Sequence, residues 1–236
     1  MEKLKERLGK QLLTQSKLLL DQMTHLEKMS ISLVDGIESK LTIGLSHMLP
    51  LSLLKDTLKQ VQQQFPFTQV RLVRGTVSSL LAKLNDGEYQ IVLHDEFNGA
   101  SEFETQPFSE LSISYICSHS HPLSQYNAAS NKLISQYPQV LCRATRAHSV
   151  FGEVQAPTEN SWFTDNSSDT LQLVSKGVGW AIMPTAVLDA HSAFHQFQRE
   201  EATGSTIRTY ITTSSNRAGT PAQEYATTLL KAGSEH

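Results

Sequence analysis

The alternation of strand-like and helix-like segments between Leu41 and Leu93 restricts the fold more than any other feature of the chain. The apolar run Leu41–Leu45 ends at Ser46, and Pro50 leads into a segment whose apolar residues share one helical face: Leu51, Leu54, Leu58, Val61 and Phe65. A second strand, a second helix and a third, almost wholly apolar strand follow at 69–73, 76–84 and 89–93. A β-α-β-α-β order predicts an α/β fold with a parallel sheet.

The second half of the chain repeats this design after a long extended segment, Phe103–Cys117. We interpret that segment as a crossover into a second lobe, because no useful helix interrupts it. The patterns then predict a helix near 127–135, strands at 139–143, 180–183 and 207–213, a helix begun by the capping residues 166–169, and a last helix over 221–231. A chain of 236 residues is long enough for two such lobes.

Leucines at steps of three, four or seven predict an amphipathic helix over about residues 2–35, ended by Asp35-Gly36. At ~1.5 Å per residue this helix would be roughly 50 Å long, which exceeds the width of a small domain. Its apolar face must therefore be covered, either by the domain that follows or by the same helix of a second subunit. We favour pairing between subunits.

The composition describes an ordinary globular chain with a net charge of −3, which gives no basic surface for holding nucleic acid unaided. Two cysteines, Cys117 and Cys142, are too few for a disulfide framework. The first twenty residues lack the apolar core of a signal peptide, and no segment reaches the ~20 apolar residues of a membrane span. We expect a cytoplasmic protein.

Several separated motifs resemble the effector-binding region of LysR-type transcriptional regulators: LTIGLSHMLPLSLL with QQQFP, NDGE before a buried strand, SHSHPL, and VSKGVGWAIMP. The resemblance covers roughly residues 41–232 and implies two Rossmann-like lobes joined by crossover strands, as in type 2 periplasmic binding proteins. It identifies 1–37 as a linker helix that dimerises, 38–115 with 214–236 as lobe I, and 116–213 as lobe II. Two departures are that the winged helix-turn-helix domain is absent from this chain and that the family's usual acidic residue before the third strand is replaced in Gly87-Glu88-Tyr89-Gln90.

Three predicted helix starts carry small hydroxyl or amide side chains, and we expect all three to open toward one cleft between the lobes. Backbone N–H groups at helix starts suit a carboxylate or another small anion. The alternative is that each residue only caps its own helix. The predicted ligand-binding residues, including a histidine at the end of the third strand and an arginine clamp in the second lobe, are Ser46, His47, Met48, Thr76, Ser78, His94, Arg143, Asn166 and Ser167. Asp95, beside His94, is interpreted as a solvated surface residue.

Other chemistries have weaker support. His119 with His121, and His191 with His195, lack an obvious third ligand for zinc, so we predict neither a metal nor a cofactor. Oxidant sensing by Cys117 and Cys142 would need thiols of lowered pKa. Gly44-Leu45-Ser46-His47-Met48 lacks the second glycine of a nucleophile elbow, and Gly177-Val178-Gly179 follows a helix instead of opening one, so no enzyme class is predicted.

The predicted function is therefore the effector-sensing part of a LysR-type regulator, acting as a homodimer or higher homo-oligomer. Its partner is a small molecule bound between the lobes, and DNA would be held only through an N-terminal domain. A free-standing solute-binding protein of a transport system is the alternative, and a small hydrolase is a distant third. The sequence favours neither activation nor repression, and names no effector or operator.

Overall fold

The computed structural model describes residues 36–142, 160–188, 193–200 and 206–233, together with residues 11–13, 15–20, 22, 23, 26, 30 and 34 of an N-terminal helix. The strands are β1 (Lys40–Ser46), β2 (Gln69–Gly75), β3 (Ile91–His94), β4 (Phe103–Ser118), β5 (Ala128–Ala129), β6 (Val140–Cys142), β7 (Trp162–Thr164), β8 (Ala181–Pro184), β9 (Phe194–Arg199) and β10 (Thr206–Ser214). The helices are α1 (Lys55–Gln64), α2 (Val77–Asn85), α3 (Asn131–Ile134), α4 (Ser167–Ser175), α5 (Thr185–Leu188) and α6 (Pro221–Gly233). Single 3₁₀ turns, Leu51–Leu54 and Pro122–Gln125, precede α1 and β5.

The sheet follows the predicted α/β topology. Strands lie in the order β2-β1-β3-β10-β4-β9-β5, and β8 also pairs with β4. Strand β1 is parallel to both β2 and β3, whereas β10 runs antiparallel to β3 and to β4. The two long strands β4 and β10 therefore connect a first lobe, built on β1 to β3, with a second lobe, built on β5 to β9. The exact lobe boundaries given above remain a prediction.

The core of the first lobe explains its regular sequence pattern. Leu41, Ile43 and Leu45 of β1 are fully buried, as are the apolar residues of β3, because helices cover both faces of the parallel sheet. One of these helices is α6, which comes from the far end of the chain and packs on α1, with the rings of Phe65 and Tyr225 in an edge-to-face contact at 5.6 Å. The last segment of the chain thus completes the first lobe.

A β-bulge interrupts the crossover between β4 and β10. Arg208 lies opposite Glu110 and Tyr210 lies opposite Pro107, so Phe108 and Ser109 together face the single residue Thr209. The fully buried Thr209 hydroxyl accepts the Ser109 N–H at 3.0 Å and donates to the Ser109 carbonyl at 2.9 Å. A side chain thereby replaces ladder hydrogen bonds at the bulge, next to Pro107, which has no N–H to donate, and pairing continues beyond it from Tyr210 to Ser214.

The second lobe departs from prediction in its small elements. In place of one helix over 127–135, the chain forms β5 and then the four-residue helix α3, begun by the Ser130 side chain. Strands β7 and β9 had no clear signal, since β7 has only three residues and β9 reads Phe-His-Gln-Phe-Gln-Arg. Trp180 links two separate segments of this lobe, because its indole N–H donates to the Ile134 carbonyl at 3.1 Å.

The described residues of 11–34 are helical, and their large apolar side chains lie exposed, including Leu12 at 69% and Leu19 at 60%. Gly36 has the left-handed φ of +75° expected of a glycine stop. Beyond it, the Glu38 carboxylate accepts the backbone N–H groups of Ala222 and Gln223 at the start of α6, at 3.2 and 2.9 Å. No helix within the described residues is long and apolar enough to cross a membrane.

Candidate functional site

A cleft of about 470 Å³ lies between the two lobes. It is bounded by the loop after β1 and the 3₁₀ turn on one side, and by the starts of α4 and α5 on the other. The lining residues are His47, Leu49, Pro50, Leu51, Ser52, Arg74, Asn166, Ser167, Ser168, Ala186 and Val187. The lining combines apolar residues with polar groups at the helix starts.

The first wall is a tight loop at the carboxyl end of β1. Ser46 is buried, and its hydroxyl accepts the Met48 N–H at 3.4 Å, while the His47 N–H donates to the Gly75 carbonyl at 3.3 Å. Pro50 then begins the 3₁₀ turn without a side-chain cap. The backbone N–H groups of Leu51 and Ser52 have no hydrogen-bond partner among the described residues. Such groups are available to an acceptor in the cleft.

The opposite wall is the start of α4. The Asn166 side chain caps this helix by accepting the Asp169 N–H at 2.9 Å, and its amide donates to the Asp169 carboxylate at 2.8 Å. The N–H groups of Ser167 and Ser168 lack partners within the part of the chain that the structure describes. Two helix starts, one from each lobe, therefore present unpaired N–H donors to the same space.

Arg74, the penultimate residue of β2, adds a charged hydrogen-bond donor on the first-lobe side of the cleft. Its Nη1 donates to the carbonyl oxygens of Ser46 at 3.2 Å and Leu49 at 2.9 Å, with a longer contact of 3.5 Å to His47. Burial lowers the pKa of the Arg74 guanidinium, but an arginine remains protonated at neutral pH. The cleft therefore contains a fixed positive charge.

His47 is held neutral beside that charge. Partial burial lowers the pKa of His47, the positive charge of Arg74 lowers it further, and the carboxylate of Asp95 acts in the opposite direction. Because the pKa falls below 6.5, the ring at neutral pH is an uncharged hydrogen-bonding group.

The structure brings three of the nine predicted site residues to the cleft surface: His47, Asn166 and Ser167. Ser46 lies directly beneath, with its hydroxyl used inside the loop. Met48 does not line the cleft, because its side chain is 2% exposed and packs in the hydrophobic core of the first lobe.

Thr76 and Ser78 also lie away from the cleft lining. The Thr76 hydroxyl accepts the Ser79 N–H at 3.4 Å, which is the capping arrangement weighed above as the alternative for each helix start. Arg143 falls outside the described residues.

The histidine and aspartate at the end of β3 are both buried. His94 has its Nε2 atom 2.6 Å from the Thr212 hydroxyl and its ring stacked on Tyr210, so it belongs to the interior beside the crossover. Burial lowers the pKa of His94. The interpretation of Asp95 as a solvated residue is wrong, since that residue is 5% exposed and its charge reaches His47.

No group of three metal-ligating side chains occurs among the residues that the structure describes. His121 uses its Nδ1 atom to accept the Leu123 N–H at 3.1 Å, and His195 has its Nε2 atom 2.9 Å from the Tyr126 carbonyl. Both cysteines are buried and neither forms a disulfide, and burial raises the pKa of Cys117 to about 11. A thiol of this kind is a poor oxidant sensor.

Sequence signals could have located Arg74. It stands at the carboxyl end of a strand that is parallel to β1, and in open α/β sheets ligands bind outside that end. The motif Arg74-Gly75-Thr76 reads as a turn, and this interpretation leaves the charge of Arg74 unassigned.

The chain is similar in sequence to known proteins. The model of the LysR substrate binding domain matches residues 35–233. The regulator cbl of Escherichia coli (strain K12) is 22% identical over 136 residues, which are 57% of this chain and 43% of the relative. The regulator AceR of Acinetobacter baumannii is 25% identical over 169 residues, or 70% of this chain and 56% of the relative. The chain thus spans about half the length of these curated relatives.

The fold is also shared with a solved structure, the effector binding domain of QuiR in complex with shikimate. The TM-score is 0.68 at 14% identity, over 83% of this chain and 97% of that domain. This likeness confirms the predicted architecture of two lobes joined by crossover strands.

Proposed function

The chain belongs to the LysR substrate-binding domain family, and on that premise we propose that it senses a small anionic effector for a LysR-type transcriptional regulator. The observation that carries this proposal is the cleft in which helix starts from both lobes present unpaired N–H groups beside Arg74. The curated relatives cbl and AceR are HTH-type transcriptional regulators, which supports the same role.

The donors favour an anion for electrostatic reasons. Each helix start carries a partial positive charge, and the two starts approach the cleft from opposite lobes. Ser52, Ser167 and Ser168 add hydroxyl groups at the lining, while Leu49, Leu51 and Val187 offer apolar surface. A small molecule with an acidic group and an apolar body would satisfy both kinds of wall.

A ligand bound in this way would couple the two lobes. Its acceptor atoms would be shared by groups on the loop after β1 and on α4, so the liganded state would favour one separation of the lobes. A ligand shifts such an equilibrium only through its difference in affinity for the two arrangements. The N-terminal helix would carry that change to a DNA-binding domain in the intact cytoplasmic regulator.

The same helix supports homodimerisation. Leu12, Leu19, Met23 and Leu26 recur at helical spacing and are more than half exposed in the single chain. Sedimentation at micromolar concentration should give a dimer for the wild type and a monomer for Leu19→Glu, while Lys17→Glu on the same helix should remain dimeric. A monomeric wild type would remove this part of the proposal.

Ligand sensing is tested by a thermal-shift screen of small metabolites on the wild-type chain, followed by two matched variants. Ser167→Trp fills the cleft from the start of α4, and Ser78→Trp places the same bulk at the start of α2, outside the lining. Compounds that raise the melting temperature of the wild type should act on the Ser78→Trp variant and fail on the Ser167→Trp variant. An equal response from both would show that the ligand binds elsewhere.

A further inference from the structure

We propose that Arg74 recognises the anionic group of the effector through one edge of its guanidinium, while three backbone carbonyls of the loop after β1 hold its Nη1 atom in place. The assignment rests on the proposed function, and it specifies the ligand class as an oxyanion, a carboxylate or a phosphate, that accepts two parallel hydrogen bonds. It places a charged clamp in the first lobe, whereas Arg143, the clamp predicted from the sequence, lies outside the described residues.

Three carbonyl oxygens determine the orientation of this side chain. Nη1 is 2.9 Å from the Leu49 oxygen, 3.2 Å from that of Ser46 and 3.5 Å from that of His47. The guanidinium is planar, so fixing one terminal nitrogen against a rigid loop also fixes the plane of the group. Because Arg74 is on β2 and the loop follows β1, two parallel strands set the position together.

The other edge of the same guanidinium remains available. Its Nε and Nη2 groups make no hydrogen bond with the described residues, and Arg74 has no carboxylate partner among them. Arg208, in contrast, is paired through Nε with Glu110 at 3.3 Å. An unpaired Nε and Nη2 edge is the fork that binds a carboxylate or phosphate through two hydrogen bonds.

No other residue of the described cleft lining carries a permanent charge like that of Arg74. Among the described lining residues it carries the one permanent charge, since His47 is neutral at pH 7 and the remainder are serines, an asparagine and apolar residues. The nearby Asp95 carboxylate is 5% exposed and does not line the cleft. An incoming oxyanion would therefore meet the charge of Arg74 together with N–H donors that are already oriented.

The test uses inorganic phosphate and acetate as probes and the His47 ring as the reporter, observed by NMR and assigned with the His47→Gln variant. Arg74→Met removes the guanidinium, Arg74→Lys retains a charge without the fork, and Arg71→Met removes a charge from the exposed outer part of β2 as a control. Saturable shifts of the His47 signals are expected for the wild type and for Arg71→Met. Of phosphate and acetate, the probe that the wild type binds more tightly should bind both Arg74 variants at least about tenfold more weakly, as expected for lost hydrogen bonds to a charged group.

Two outcomes overturn the assignment and leave the proposed function standing. One is an unchanged affinity in the Arg74→Lys and Arg74→Met variants. The other is the absence of any saturable His47 response to phosphate and acetate in a wild type that still binds a neutral compound in the metabolite screen. Failure of that entire screen would instead count against the proposed function.

A comparison on the ligand side covers the case in which the Arg74 variants do not fold. Acetamide has the shape of acetate without its charge. Acetate should shift the His47 signals of the wild type, and acetamide should not at equal concentration. Equal responses to acetate and acetamide would refute recognition of an oxyanion by Arg74.

Discussion

Replacing Thr209 by valine should destabilise the whole chain through the bulge between the lobes. The substitution preserves the shape of the side chain and removes only its hydroxyl. That hydroxyl is fully buried, accepts the Ser109 N–H at 3.0 Å, donates to the Ser109 carbonyl at 2.9 Å and lies 3.0 Å from the Ser109 hydroxyl. In the variant, a backbone N–H and a carbonyl in the bulge would lose this partner.

The size of the effect follows from these two orphaned groups. A buried polar group without a partner costs about 1–3 kcal/mol. Ser109 is only partly buried, so water can recover some of each loss, and we take about 1 kcal/mol for each group. The expected loss is about 2 kcal/mol, which corresponds to a fall of about 4–8 °C in the melting temperature of a chain of this size.

Urea unfolding monitored by circular dichroism would measure this loss as a lower midpoint with an unchanged slope. The control is Thr213→Val on the same strand, because the Thr213 hydroxyl makes no hydrogen bond with the described residues. That variant should remain within about 0.5 kcal/mol of the wild type. Equal stability of the two valine variants would show that the Thr209 hydroxyl does not replace ladder hydrogen bonds at the bulge.

Three further predictions concern other parts of the chain. Glu38→Gln should lower the unfolding free energy by about 1 kcal/mol, because the amide gives a weaker cap to α6 than the carboxylate, and urea unfolding at low and high salt would show the difference shrink with salt. Cys117 should resist Ellman's reagent at pH 8 until the chain is unfolded, since burial raises its pKa to about 11; rapid labelling of the native protein at that cysteine would contradict this. Burial lowers the pKa of His47, His94 and His121 below 6.5, so the unfolded chain binds more protons and stability should decrease as pH falls from 7 to 5.5. The unfolding free energy measured across that range should show a slope that becomes smaller in the His94→Gln variant.

The sequence predicted the first lobe well because its elements are long and strongly patterned. A buried parallel strand reads as an apolar run. The apolar residues of α1 and those of α2 each lie on one helical face, so periodicity alone identifies both helices. In the second lobe β7 and β9 were missed. Strand β7 exposes Trp162 and Phe163, and β9 contains histidine, glutamine and arginine, so tertiary pairing decides their conformation.

The site was harder to predict than the fold. The sequence located the helix starts through Pro50 and Asn166. It did not show which residues of the turn are buried, and burial is what distinguishes Met48, in the core, from His47, at the cleft. The one sequence signal for Arg74 is its place at the carboxyl end of a strand parallel to β1. Its role depends on carbonyls that lie twenty-five to twenty-eight residues earlier in the chain.

The position of β10 has a consequence for synthesis on the ribosome. Strand β10 lies between β3 and β4 in the sheet, and α6 covers α1 in the first lobe. A nascent chain therefore cannot finish the first lobe when its opening β-α-β-α-β unit emerges, and β3 keeps an unpaired apolar edge until residues 206–214 have been made. Such edges favour association with other chains. The first lobe is therefore the first to be started during translation and one of the last parts to be completed.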